Sequence, residues 1–172
     1  MKKTLIAILM ALALALVPVG NAFAATTADV TVTATPAFIS ITLAPGQTTW
    51  PIGVVTAGST PSTTTTYFTI DNTSTVQTDQ TIGVTTATWS GGVTWAHAED
   101  AVPGTDLAGL KANKGGTWGV SDIIVKNASP NFIAENQTAN TDYSFGLKLW
   151  APTEFTDGVE KQIIVRITAV AG

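Results

Sequence analysis

The clearest strand in this chain of 172 residues reads YSFGLKLW and spans Tyr143–Trp150. Its aromatic and aliphatic side chains recur at every second position, which is the repeat of a strand with one buried face. A second alternating run, KQIIVRITAV, follows at residues 161–170, where Ile163, Val165 and Ile167 share one face. Because the connection between the two runs is short, we expect them to form an antiparallel hairpin.

The rest of the chain continues this strand-rich pattern. Runs rich in Val, Ile, Thr, Tyr, Phe and Trp alternate with Gly, Pro, Asn, Asp and Ser breaks, and no helical periodicity follows residue 24. The alternation of residues 30–34 predicts a strand, whereas residues 98–116 predict a long loop that contains a short segment at residues 107–111. The sequence therefore predicts a single antiparallel β-sandwich of about eight to ten strands, immunoglobulin-like or jelly-roll-like in architecture.

The first 24 residues have the three parts of a secretory signal peptide. Two lysines supply the basic start, residues 5–17 supply the apolar run, and AFA at residues 22–24 supplies small residues for cleavage. The apolar run is shorter than the roughly 20 residues of a membrane-spanning helix, and no later stretch is longer. We therefore expect a cleaved signal of prokaryotic type and one domain, residues 25–172, without a membrane span. This domain is expected outside the cell, at the cell surface or in the periplasm.

Composition and charge exclude several classes of function. Only 12% of the residues are charged, none is cysteine, and the isoelectric point is about 4.7. Nucleic-acid-binding surfaces are basic, so a nucleic-acid partner is not expected. No Lys or Arg lies in residues 25–110, whereas the whole chain contains 31 threonines. Threonine combines high strand propensity with an uncharged hydroxyl, and this composition is typical of an extracellular β protein.

The sequence lacks the usual catalytic constellations. His97 is the single histidine, and neither a Gly-x-Ser-x-Gly elbow nor a Rossmann glycine pattern occurs. The sequence therefore predicts a protein that is not an enzyme and needs no cofactor. One metal hypothesis remains, a calcium site in the loop after His97 that uses Glu99, Asp100 and Asp106, because Ca²⁺ prefers carboxylate oxygens. The alternative is a solvated acidic turn.

Two of the five tryptophans suggest a carbohydrate-binding module as an alternative function. Trp89 and Trp95 bracket the glycine turn at residues 91–92, so we expect them to lie close together across a hairpin. An exposed pair would form a stacking platform for the sugar rings of a polysaccharide. Aromatic side chains of this kind also bury about 150–250 Å² each in the cores of small sandwiches. The sequence leaves both interpretations open.

The start of the predicted domain suggests how copies of the chain associate. Val30, Val32 and Ala34 alternate with threonines, and Pro36 separates this run from the next strand. Residues 25–35 are therefore a candidate donor strand that completes the sheet of a neighbouring copy. The alternative is that these residues pair within their own sandwich, and the sequence leaves this open as well.

Two parts of the chain resemble known secreted proteins. WPIGVVTAGST at residues 50–60, leading to YFTIDNTS at residues 67–74, resembles the opening of immunoglobulin-like domains of the Hydin type, with Ile52 where those domains usually have Phe. The two C-terminal runs are similar to bacterial surface and matrix-fibre subunits of the camelysin type. Both resemblances imply a structural or adhesive module of a cell surface, extracellular matrix or filament. They imply self-association or binding to other surface proteins, and no catalytic residue.

Overall fold

The computed structural model of the chain describes residues 30–172. The predicted signal peptide, residues 1–24, and the first part of the predicted donor segment, residues 25–29, lie outside the described residues. The chain divides into two units, Met1–Thr35 and Pro36–Gly172, and every strand of the described residues belongs to the second unit.

The described residues form ten strands and no helix, which confirms the predicted all-β class. The strands are β1 (Ile41–Leu43), β2 (Phe68–Asn72), β3 (Thr78–Val84), β4 (Thr88–Trp89), β5 (Trp95–His97), β6 (Leu107–Asn113), β7 (Asp122–Ile124), β8 (Asn131–Gln137), β9 (Tyr143–Trp150) and β10 (Val165–Ala171).

The larger of two sheets has the order β1-β2-β9-β6-β5-β4, and β7 also pairs with β6. Strand β9 lies near its centre and pairs antiparallel with β2 on one side and β6 on the other. Strands β5 and β6 pair in parallel, whereas the other strand pairs of this sheet are antiparallel. The predicted antiparallel sandwich is therefore confirmed with one parallel exception.

The smaller sheet has the order β10-β3-β8 and is antiparallel throughout. Strand β10 pairs with β3 without interruption, from Val165 opposite Val84 to Ala171 opposite Thr78. The pairing of β3 with β8 shifts register on either side of Gln80, as it does at a β-bulge. Strands β10 and β8 are thus the two ends of this sheet.

A single hydrophobic core receives side chains from both sheets. Phe145 and Leu149 of β9 are buried in alternation with more polar neighbours, as their spacing predicts. Ile82 of β3 and Ile133 of β8 join the same cluster from the smaller sheet. The ring of Phe68 stacks on Phe145 at 5.2 Å between centroids. Each buried side chain of this size stabilises the fold by roughly 1.5–3 kcal/mol.

The predicted hairpin between the two C-terminal runs is wrong. The runs do form β9 and β10, but these strands lie in different sheets. Strand β9 offers β10 no free edge, because β2 and β6 pair with its two sides. Beyond β2, residues 59–63 continue along β9, where the Leu149 N–H donates to the Pro61 carbonyl. Strand β10 pairs with β3 instead, and the connection passes from one sheet to the other.

The predicted loop over residues 98–116 is also wrong at its centre. Leu107–Asn113 forms β6, a seven-residue strand between β9 and β5. Its alanines and glycine have low strand propensity, so the sequence signals only a short segment. The tertiary structure requires a small residue here, since a Cβ on Gly109 would lie 2.6 Å from the Ala101 Cα. The chain before β6 therefore lies directly against this strand.

Candidate functional site

The outer edge of β10 is the candidate interaction site. Within residues 30–172, β10 pairs with β3 along one side and with no strand along the other. We call this second side the β10 edge and define it by Val165–Ala171. A strand at the end of a sheet presents backbone N–H and C=O groups to whatever lies beside it. The β10 edge is therefore a template for a further strand.

The hydrogen bonds around β3 show which residues of β10 present those groups. The Thr85 N–H donates to the Ile164 carbonyl at 3.0 Å, so the backbone of Ile164 faces β3. The preceding N–H of Val84 points to the opposite side and donates to the Lys126 carbonyl. Because backbone direction alternates along an antiparallel strand, Val165 faces the β10 edge. Ile167 and Ala169 follow it at the same two-residue interval.

Apolar side chains lie on both faces of β10 and of the two residues before it. Ile163, Val165 and Ile167 pack against the core yet remain half-buried. On the opposite face, Ile164 is 66% exposed and Val170 is 51% exposed. The single charged residue of β10 is an arginine, at position 166. This edge thus has apolar surface that an additional strand would cover.

The predicted donor residues do not form the strand that their alternation predicts. Residues 30–35 have no strand assignment, and Val30 and Val32 are 84% and 86% exposed. Ala34 is exposed as well. A strand needs a hydrogen-bonded partner, so alternating side chains alone do not create one. The donor role of these residues stays a prediction.

Trp89 and Trp95 lie side by side, as their spacing predicts, but inside the core. They face each other across β4 and β5 with ring centroids 6.1 Å apart, and they are only 5% and 7% exposed. The ring of Trp95 also stacks on Phe155 at 5.2 Å. The proposed sugar platform at these two residues is therefore wrong, because neither ring face is open to a ligand.

Two other tryptophans, Trp118 and Trp150, stand beside lysines on the outer face of the larger sheet. The Lys111 ammonium lies 3.9 Å from the ring centroid of Trp150, and the Lys148 ammonium lies 4.5 Å from that of Trp118. All four side chains are half-buried. Sequence patterns alone do not indicate this group, although Lys148 and Trp150 share a face of the alternating run.

The three predicted calcium ligands have separate partners. The Glu99 carboxylate accepts the Asn127 N–H, and Asp100 accepts the N–H of Val102. Asp106 accepts both the N–H and the hydroxyl of Thr156. No three His, Asp or Glu side chains of residues 30–172 form a group suited to a metal ion, so the structure does not bring the three together.

His97 is a buried residue of β5. Its Nε2 lies 2.7 Å from the Val125 carbonyl oxygen, which can only accept, so the Nε2–H donates. Its Nδ1 is also buried and has no hydrogen-bond partner among the described residues. The histidine therefore links β5 to the segment after β7 from inside the core.

Comparison with known protein families, curated proteins and solved structures finds no match to this chain. Across residues 30–172 there is no helix that could cross a membrane.

Proposed function

We propose that the chain is a secreted, non-enzymatic structural subunit of a cell-surface, matrix or filament assembly. Copies associate by strand addition, in which residues 25–35 of one copy pair with the β10 edge of the next. The observation that carries this proposal is the β10 edge itself, a seven-residue strand that pairs on one side only within the described chain.

The side chains of β10 support a role in association. Proteins usually protect an edge strand with lysines, proline, a bulge, a very short length or a covering segment. Strand β10 has no proline and no lysine, and its register with β3 runs without a bulge. Arg166 is its single charge, and it lies on the face opposite to the core. An edge with these properties favours pairing with another strand.

The donor segment matches the requirements of this edge. In a strand added at this edge, the residues opposite Val165, Ile167 and Ala169 would direct their side chains toward the core. This follows because directly opposite residues of a sheet share a face. Val30 and Val32 would cover the half-buried face of β10, and Thr31 and Thr33 would face solvent. No charge in residues 30–35 opposes this burial.

The test compares the size of the assembly for three proteins by light scattering after gel filtration. The wild-type protein is expected to form oligomers or fibres. The variant that lacks residues 25–35 is expected to be a folded monomer with unchanged circular dichroism. Ala169→Pro removes an N–H that faces the β10 edge, a position at which edge strands tolerate proline. This variant is also expected to be a folded monomer.

Thr168→Ala is the matched control for the proline variant. It alters the neighbouring side chain and keeps every backbone donor, so its assembly is expected to equal that of the wild type. A wild-type protein that stays monomeric at all concentrations contradicts the proposal. Normal assembly of Ala169→Pro contradicts it too, as does unfolding of the truncated chain, since the segment would then belong to its own sandwich.

A further inference from the structure

Two lysines of the larger sheet lie directly opposite each other. In the register of β6 and β9, Lys111 pairs with Lys148, so both side chains project from the same outer face. Like charges in opposite positions destabilise a sheet. Here each ammonium instead lies near an indole ring, and Lys148 approaches both Trp118 and Trp150, at 4.5 and 5.9 Å from the ring centroids. Indole rings stabilise such cations by about 0.5–2 kcal/mol.

No carboxylate of residues 30–172 forms an ion pair with either of these lysines. The ion pairs of residues 30–172 are Lys114 with Glu135 and Lys161 with Asp157, and neither includes Lys111 or Lys148. The chain as a whole has twelve acidic residues against eight basic ones. Lys111 and Lys148 are therefore adjacent cations without an ion-pair partner among the described residues, and their position is complementary to an anion.

The surface around the two lysines is limited at both ends. A Cβ on Gly109 would lie 2.6 Å from the Ala101 Cα, and a Cβ on Gly146 would lie 2.4 Å from the Thr64 carbonyl oxygen. Backbone segments therefore cover β6 and β9 on either side of the lysines. We call the open part between them the Lys–Trp window, which consists of Lys111, Trp118, Lys148 and Trp150.

The tryptophan rings of the window are held in place. The Trp118 Nε1–H donates to the Thr63 carbonyl at 3.2 Å, which orients the ring beside Lys148. Trp150 is the last residue of β9, is half-buried and has both ammonium groups near its ring. A rigid indole offers a ligand apolar ring surface at a low cost in conformational entropy.

We propose that the Lys–Trp window binds an acidic sugar unit of a polysaccharide. A uronate combines a carboxylate, which the two ammonium groups attract, with apolar C–H groups that contact the part of the indole rings that the ammonium groups leave uncovered. An aspartate or glutamate of a protein partner has the same charge but no ring face. This binding site lies on the larger sheet and is independent of the proposed assembly through β10, which belongs to the smaller sheet.

The test measures binding of polygalacturonate to the purified protein by calorimetry and tryptophan fluorescence. Fully methyl-esterified polygalacturonate has the same sugar rings without charge and is expected not to bind. Lys148→Gln is expected to weaken binding of the acid form about tenfold, which corresponds to about 1.4 kcal/mol. Lys111→Gln and Trp118→Leu give two further readouts from the same window, so a single unstable variant does not decide the result.

Lys126→Gln is the matched control, since it removes one positive charge outside the window. Its affinity is expected to equal that of the wild type. The proposal is wrong if the ester binds as tightly as the acid, if Lys126→Gln weakens binding as much as Lys148→Gln, or if polygalacturonate does not bind. If Lys148→Gln instead reduces self-association in the absence of sugar binding, the anion belongs to a second copy and the sugar proposal is also wrong.

Discussion

The Lys161 ammonium lies 2.5 Å from the Asp157 carboxylate in an ion pair that is largely shielded from water, with side chains 3% and 18% exposed. Lys161 also donates to the Gly91 carbonyl at 2.6 Å, and Asp157 accepts the N–H of Val93. The pair therefore connects the segment before β10 to the turn between β4 and β5.

Replacing Asp157 should destabilise the protein at neutral pH and much less in acid. The hydrogen bond from Lys161, followed by that from the Val93 N–H, lowers the pKa of Asp157 below its ordinary value. A lowered folded-state pKa contributes stability above the unfolded pKa of about 3.9, and this contribution is lost as the pH falls through the folded pKa. In urea unfolding from pH 7 to pH 2, the difference between wild type and Asp157→Asn should be constant above about pH 5 and shrink below about pH 4.

Glu160→Gln provides the control for this titration, because Glu160 is exposed and has no ion-pair partner among the described residues. It should leave the unfolding midpoint nearly unchanged across the same range. A stability difference for Asp157→Asn that is as large at pH 2 as at pH 7 would contradict the assigned role of the carboxylate.

Gly146→Ala should destabilise the sandwich by about 1–3 kcal/mol, the usual cost of overpacking. The added methyl group would lie 2.4 Å from the Thr64 carbonyl oxygen and 2.8 Å from the Thr65 Cα. Both contacts are with backbone, so no side-chain rotation relieves them. Urea unfolding measures the change. Gly158→Ala is the control, since nothing lies within 4 Å of its added methyl group.

Gly146→Ala should therefore lower the free energy of unfolding, whereas Gly158→Ala should leave it unchanged or raise it slightly. Replacing a glycine without strain stabilises a protein by about 0.4–1 kcal/mol through the unfolded chain. Equal destabilisation by both variants would show that residues 64–65 do not lie against β9 as the structure has them.

Phe145→Ala should cost about 3–5 kcal/mol of unfolding free energy, because it leaves a cavity where the two sheets share their core. Phe145 is 1% exposed and stacks on Phe68. Phe132 of β8 is 44% exposed, so Phe132→Ala serves as the control and should cost well under half as much. Similar losses of unfolding free energy from the two variants would contradict the position of Phe145 in the core.

Local alternation was sufficient to predict β9 and most of β10, as well as the all-β class. It failed where side chains are small, as in β6, because alanine and glycine have low strand propensity. It also failed for Val30 and Val32, whose alternation predicts a strand that the described residues do not form. Periodicity reports which face of a strand is apolar, and it does not report whether a partner strand is present.

Only the tertiary structure shows which sheet each strand belongs to. The sequence places β9 and β10 next to each other along the chain, yet β2 and β6 take both sides of β9, and β10 pairs with β3. Because β10 pairs only with β3, one side of β10 is unpaired within residues 30–172.

The same distinction between sequence and tertiary structure applies to the candidate binding residues. The sequence by itself determined the residue types: an acidic, threonine-rich chain with five tryptophans and few lysines. Only the tertiary structure decided that Trp89 and Trp95 are buried, and that Trp118 lies next to Lys148 from a different part of the chain. Burial and lateral neighbours depend on which strands pair across the whole chain, whereas alternation depends on residues two positions apart.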